Sequence, residues 1–127
     1  MAIARTILIV DDQPSARFTL EAILEHEGYN LLFAANGPDC LAQLEQHEPD
    51  VILLDVMMPG MNGFEVCERI KTSEDWQHIP IILVTALDSK QDLARGLEAG
   101  ADDFVTKPVD EQELMARIRS MLRIKKL

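Results

Sequence analysis

Short aliphatic runs that break off into charged residues are the feature that most constrains this chain. Ile7-Leu8-Ile9-Val10 runs into Asp11-Asp12, Val51-Ile52-Leu53-Leu54 into Asp55, and Asp103-Phe104-Val105-Thr106 into Lys107-Pro108. Aliphatic runs with no polar alternation read as strands buried on both faces, the habit of parallel sheets covered by helices. A parallel sheet delivers its strand ends to one edge, so three carboxylates and one ammonium should meet there. Carboxylates crowded together repel one another. Such a cluster makes sense only around a cation or an incoming electrophile.

The rest of the chain supplies the helices this requires. Strands are expected at about 6–11, 30–35, 51–55, 80–85 and 102–106, and helices at about 14–27, 38–47, 63–73, 89–99 and 110–124. Ala16, Leu20, Ile23 and Leu24 share one helical face, as do Leu114, Ile118, Met121 and Leu122. Pro14 and Pro38 suit first-turn positions, where a missing N–H costs nothing. Asn62 reads as a helix N-cap, and Asp110 with Glu113 as a capping box. Gly28 and Gly100 fit left-handed positions after helices. Strand–helix alternation with short connections implies right-handed crossovers and a doubly wound α/β sandwich, whose ligands bind beyond the carboxyl ends of the strands.

Composition narrows the function. At 127 residues and 47% apolar content, the chain is expected to be one domain, residues 1–127, with a real core. Its net charge of −10 argues against direct nucleic-acid binding, which needs a basic patch. Basic residues gather instead between Arg117 and Lys126, where they suit the end of a helix. No apolar run is long enough to span a membrane, and Met1-Ala2-Ile3-Ala4-Arg5-Thr6 is too short for a signal peptide; a soluble cytoplasmic protein is expected. Cys40 and Cys67 lack metal-ligand spacing and read as small buried residues, and His26, His47 and His78 as surface or satisfied histidines.

Asp11, Asp12 and Asp55 make an all-oxygen site. Such a site suits a hard divalent ion, Mg²⁺ with Mn²⁺ as a substitute, whereas zinc or copper would call for histidine or thiolate. A carboxylate beside Mg²⁺ and a lysine can act as a nucleophile toward phosphorus. The metal and Lys107 would neutralise the phosphoryl oxygens, Thr85 could donate its hydroxyl to one, and the backbone of Val56-Met57-Met58 could add N–H groups and a metal-binding carbonyl.

At this point the chain resembles a known family. Asp11-Asp12, Asp55-Val56-Met57-Met58-Pro59-Gly60-Met61-Asn62-Gly63, Thr85-Ala86 and Lys107-Pro108 are similar, in order and spacing, to the receiver domains of two-component response regulators. The resemblance implies a flavodoxin-like receiver fold with five parallel strands in the order 2-1-3-4-5. It implies that Asp55 takes a phosphoryl group from a phosphohistidine on a sensor histidine kinase or a histidine phosphotransfer protein. Asp12, Asp55 and the Met57 carbonyl would bind Mg²⁺, with Asp11 acting largely through water. Lys107 would grip the phosphoryl group, Lys107-Pro108 would be a cis peptide, and Thr85 with Phe104 would form a switch pair. The protein would then be a switch that catalyses its own phosphorylation and dephosphorylation, not a turnover enzyme.

The last third of the chain carries Lys90, Arg95, Asp102, Asp103, Glu113, Arg117 and Arg119. Charges of both signs on one face can pair with a symmetry-related copy. This stretch resembles receivers that dimerise on phosphorylation through the fourth helix, fifth strand and fifth helix. No output domain is expected within these residues, which fits either a stand-alone receiver or a module of a longer protein. An aspartate-nucleophile phosphatase of the haloacid dehalogenase type would want an Asp where Met57 stands. A flavodoxin-like FMN carrier would need a phosphate loop in place of Asp11-Asp12-Gln13-Pro14. A receiver-like module that has lost phosphorylation is disfavoured because every required residue type is present.

Overall fold

In a computed structural model, residues 4–126 are described, with side chains through Arg123. Met1, Ala2, Ile3 and Leu127 lie outside the described residues, as do the side chains of Ile124, Lys125 and Lys126; the reading of the first residues as no signal peptide and the outer part of the terminal basic cluster fall there.

The chain alternates strictly between strand and helix. Its elements are Thr6–Val10 (β1), Pro14–Leu24 (α1), Asn30–Ala34 (β2), Gly37–Gln46 (α2), Val51–Leu54 (β3), Gly63–Lys71 (α3), Ile81–Thr85 (β4), Lys90–Glu98 (α4), Asp103–Thr106 (β5) and Glu111–Lys126 (α5). All strand pairs are parallel, and the sheet order is β2-β1-β3-β4-β5, as the resemblance implies. The chain steps from β1 outward to β2 and then back across to β3, so the order reverses between β1 and β3. That is the switch point at which such sheets bind ligands.

Alternation along the strands divides the core in two. Leu8, Val10, Ile52, Leu54, Ile81 and Leu83 face a layer built from Cys40 and Leu44 of α2 and Phe64, Val66, Cys67 and Ile70 of α3. Ile7, Ile9, Val51, Leu53, Ile82 and Val84 face Leu20 and Leu24 of α1 and Leu114, Met115 and Ile118 of α5. Burial on both sides explains why the central strands read as unbroken aliphatic runs. Each fully buried Leu or Ile stabilises the fold by about 1.5–3 kcal/mol relative to exposure. Cys40 and Cys67 are free thiols within the first layer, and burial pushes each up to about 12.

Local chemistry sets the helix starts. Asn62 accepts from the Glu65 N–H while Glu65 returns to the Asn62 N–H, and Ser89 and Asp92 form the same box at α4. At α5 the expected box is only half made. Asp110 accepts from the Glu113 N–H at 2.9 Å, but the Glu113 carboxylate turns to Arg117, one helical turn on, at 3.3 Å. The first helix ends at Leu24 rather than 27, because residues 25–28 form a turn that closes at Gly28 with φ +82°.

Candidate functional site

Three site residues are held by the sheet itself. Each donates its backbone N–H to the last residue of a neighbouring strand: Asp11 to Ala34 at 3.1 Å, Asp55 to Val10 at 2.9 Å and Lys107 to Thr85 at 2.8 Å. The hydrogen-bond ladder therefore continues one residue past β1, β3 and β5, and the expected strand ends at 11 and 55 overshoot by that residue; at the expected end 35 the Ala35 N–H turns instead to Asp39 Oδ2 at 3.1 Å. Asp55 is further packed from behind. Gly63, the first residue of α3, donates its N–H to Val56 at 2.9 Å, and a β-carbon on Gly63 would run into the Asp55 carbonyl oxygen and lie 2.6 Å from Val56 Cα.

Asp11, Asp12 and Asp55 each bring a carboxylate oxygen within 4.8 Å of the others. Asp11 and Asp55 are buried, Asp12 half-buried. Among the described residues, Lys107 is the cation paired with these carboxylates: its Nζ lies 3.0 Å from Asp11 Oδ2 and 3.8 Å from Asp55 Oδ1. Asp11 has both oxygens engaged, since its Oδ1 accepts from the Gln13 N–H at 3.0 Å. Asp55 Oδ1 accepts from the Val56 N–H at 2.9 Å. Burial and the Asp11 carboxylate push the Asp55 carboxyl above its usual range, against the pull of Lys107 and of the Met57 and Val56 N–H groups. Asp12 Oδ1 is buried and has no hydrogen-bond partner. A buried carboxylate oxygen without a partner is costly. The donor set is all oxygen and carries more negative charge than one lysine balances, so it fits a hard divalent cation.

The other expected site residues lie on β4, on β5 and in the segments that follow β3 and β5. Thr85 is fully buried at the end of β4, and its hydroxyl accepts from the Leu87 N–H at 3.3 Å. Phe104, on β5 beside Leu83, leaves the pocket and lies against α4, where a β-carbon on Gly96 would touch its ring at 3.4 Å. Met57 turns its side chain to solvent, 60% exposed, so what it offers the pocket is backbone. The Lys107–Pro108 peptide is cis.

The mixed charges of the last third are largely occupied within the chain. Arg117 pairs with Asp103 at 2.8 Å and with Glu113 at 3.3 Å. Asp102 pairs with Lys71 of α3 at 2.8 Å, and Arg95 stacks on the Phe64 ring at 4.7 Å. Lys90 opens α4 and Arg119 is exposed on α5, while Leu93 and Leu97 leave α4 exposed by 39% and 69%. Sequence reasoning did not single out Arg17, whose Nη1 donates to the Asp11 carbonyl at 2.6 Å. A basic residue near the positive end of α1 runs against the helix macrodipole, and that was the available signal.

A doubly wound sheet with a carboxylate cluster and a lysine at its switch point defines a class, and residues 7–119 match the response regulator receiver domain family. The chain belongs to that family. It is 50% identical over 119 residues to the response regulator PleD of Caulobacter vibrioides, covering 94% of this chain and 26% of that protein. It is 44% identical over 118 residues to the sensory transduction protein RegX3 of Mycolicibacterium smegmatis, covering 93% of this chain and 50% of that one. A solved structure of a putative response regulator from Chloroflexus aurantiacus superposes with a TM-score of 0.91 at 35% identity, over 95% of this chain and 99% of that one. The chain thus spans between a quarter and a half of these two longer relatives. It is a phosphoacceptor signalling domain of two-component systems, and the phosphatase reading is not favoured. Among the described residues no helix is long and apolar enough to cross a membrane.

Proposed function

We propose that Asp55 is the phosphoacceptor, and that Asp12, Asp55 and the Met57 carbonyl hold Mg²⁺ or Mn²⁺ while Asp11 acts through water. The observation that carries this is the unpartnered Asp12 Oδ1 within a carboxylate group that Lys107 alone leaves unbalanced. When bound, the cation supplies positive charge to the phosphoryl oxygens.

The chain's own residues do the rest. An Asp55 oxygen attacks the phosphorus of a phosphohistidine on a kinase or phosphotransfer protein. The Asp O–P bond forms as the N–P bond breaks, and the ring nitrogen keeps the electron pair. Lys107, now 3.0 Å from Asp11 and 3.8 Å from Asp55, exchanges a carboxylate for a phosphoryl oxygen. Hydrolysis returns orthophosphate and the free carboxylate, so the domain catalyses both its own loading and its own reset.

The switch follows from what the new anion attracts. The Thr85 hydroxyl leaves the Leu87 N–H, turns to the phosphoryl group, and vacates space that Phe104 enters from α4. A charge-assisted hydrogen bond contributes about 1.5–3 kcal/mol, which shifts a two-state population by roughly one to two powers of ten. Exposed Leu93 and Leu97, with Lys90 and Arg119 and the paired charges of Asp102, Asp103, Glu113 and Arg117, then form the face on which two phosphorylated copies meet through α4, β5 and α5. Arg95 is turned to Phe64 and takes part only if that stack opens. The domain works in the cytoplasm, without contacting nucleic acid.

The test is labelling by acetyl phosphate with Mg²⁺. One phosphoryl group per chain is expected, and none in Asp55→Asn. Undiminished labelling of that variant sinks the assignment. Sizing the protein with and without beryllofluoride tests self-association.

A further inference from the structure

We infer that Arg17 is a positioning residue for the cation site: it clasps the Asp11–Asp12 turn and so holds the Asp12 carboxylate ready before an ion arrives. This rests on the reading of Asp12 and Asp55 as cation ligands.

Asp12 Oδ1 has no hydrogen bond to orient it, so its place is set by the backbone that carries it. That backbone is tied at three points. The Asp11 N–H donates to Ala34 at 3.1 Å, the Gln13 N–H to Asp11 Oδ1 at 3.0 Å, and Arg17 Nη1 to the Asp11 carbonyl at 2.6 Å. The first tie belongs to the sheet and the second to the turn itself. Only the third comes from a side chain on another element, and it acts on the peptide unit joining Asp11 to Asp12.

The start of α1 needs this tie. Gln13 stands at the N-cap without a side-chain capping bond, and Pro14 follows it. No capping side chain therefore braces the turn where it enters the helix, whereas α2, α3 and α4 each have one. Arg17 reaches back from the first turn and does so against the macrodipole. A guanidinium placed there is spent on the turn. Outer partners that orient metal ligands are commonly worth about 10- to 100-fold in affinity.

Positioning and charge give opposite signs, which makes the inference testable. Removing a positive charge beside an acidic cluster should tighten cation binding by Coulomb's law alone. Losing the clasp should weaken it. We expect Arg17→Gln in the full chain to bind Mg²⁺ about tenfold more weakly, followed by amide NMR shifts, with Mn²⁺ binding by electron paramagnetic resonance as a second probe. Arg17→Lys, which keeps the charge and a donor, should fall between Arg17→Gln and wild type. Thermal unfolding in a chelator should leave both variants folded; if Arg17→Gln does not fold, Arg17→Lys decides by the same ordering against wild type. Binding by either variant as tight as wild type or tighter overturns the clasp while leaving the site reading intact. Failure of the wild-type chain to bind either ion overturns the site reading, and the clasp with it.

Discussion

Replacing Gly63 by alanine should impair the chemistry of Asp55 more than it impairs the fold. The added β-carbon would overlap the Asp55 carbonyl oxygen and come within 2.6 Å of Val56 Cα and 2.9 Å of the Asp55 carbonyl carbon. Ordinary contact begins at 3.4 Å, so the Val56 contact alone demands a retreat of 3.4 − 2.6, or 0.8 Å. These neighbours are backbone, held by the Asp55-to-Val10 bond, and cannot yield as a flexible side chain would. Overpacking of this kind costs about 1–3 kcal/mol, and the better helix propensity of alanine offsets about 0.5–1 kcal/mol of it. A displacement near 1 Å at a reacting group slows a reaction by up to about 100-fold. Gly60→Ala is the control. Gly60 has φ +76° and open space around it, so alanine there costs about 1–2 kcal/mol of backbone strain without pressing on Asp55. Urea unfolding should show similar losses for both variants, while acetyl phosphate labelling should slow roughly 10- to 100-fold in Gly63→Ala alone. Wild-type labelling by Gly63→Ala, or equal slowing in both, would refute the reasoning.

Thr85→Ala should still accept a phosphoryl group, yet the Phe104 ring resonances should stay unchanged under saturating beryllofluoride; a wild-type response of the ring would remove Thr85 from the switch. Lys71→Met should cost about 1–3 kcal/mol in urea unfolding, because Lys71 Nζ pairs with Asp102 and donates to the Ile79 carbonyl at 2.7 Å and the Gln77 carbonyl at 3.2 Å; an unchanged midpoint would mean the cluster contributes nothing. Cys40 and Cys67, each pushed from 9.0 up to about 12, stay protonated in the folded chain while the unfolded thiols ionise. Their contribution is therefore complete below pH 9 and is lost as the pH rises toward about 12, so a Cys40→Ala, Cys67→Ala double variant should lose stability less steeply across that window. Matching slopes would contradict the assignment.

The strands and helices were legible because the aliphatic runs and the 3.6-residue spacings are local, and the core places each where its pattern points. Strand order was not legible from spacing, since periodicity says nothing about which strands are neighbours; it came from the resemblance. Asp11, Asp12, Asp55 and Lys107 were legible as a group because each ends or follows an aliphatic run. What escaped were side chains whose partners lie elsewhere. Arg17 reaches a backbone carbonyl, and Gly63 matters for the space it leaves to Asp55. Asp102 looked available to a second copy until Lys71, thirty-one positions earlier, took it. Glu113 fitted a capping box by its spacing, and Arg117 outcompeted the backbone for it.

The ladder that runs past the strand ends has a consequence for how the pocket comes apart. The amides of Asp11, Asp55 and Lys107 are bonded to carbonyls of β2, β1 and β4, so exposing them to solvent means separating strands. Their hydrogen exchange should require the same large-scale opening as the sheet's interior, whereas α4, with only Gly96 fully buried along its length, should open locally at far lower cost. On the proposed reading, the end that reacts and the α4 face that reports therefore belong to different cooperative units. If α4 is the proposed partner face, substitutions along it should alter self-association while the rate of acetyl phosphate labelling at the pocket, anchored in the last unit to unfold, stays that of the wild type.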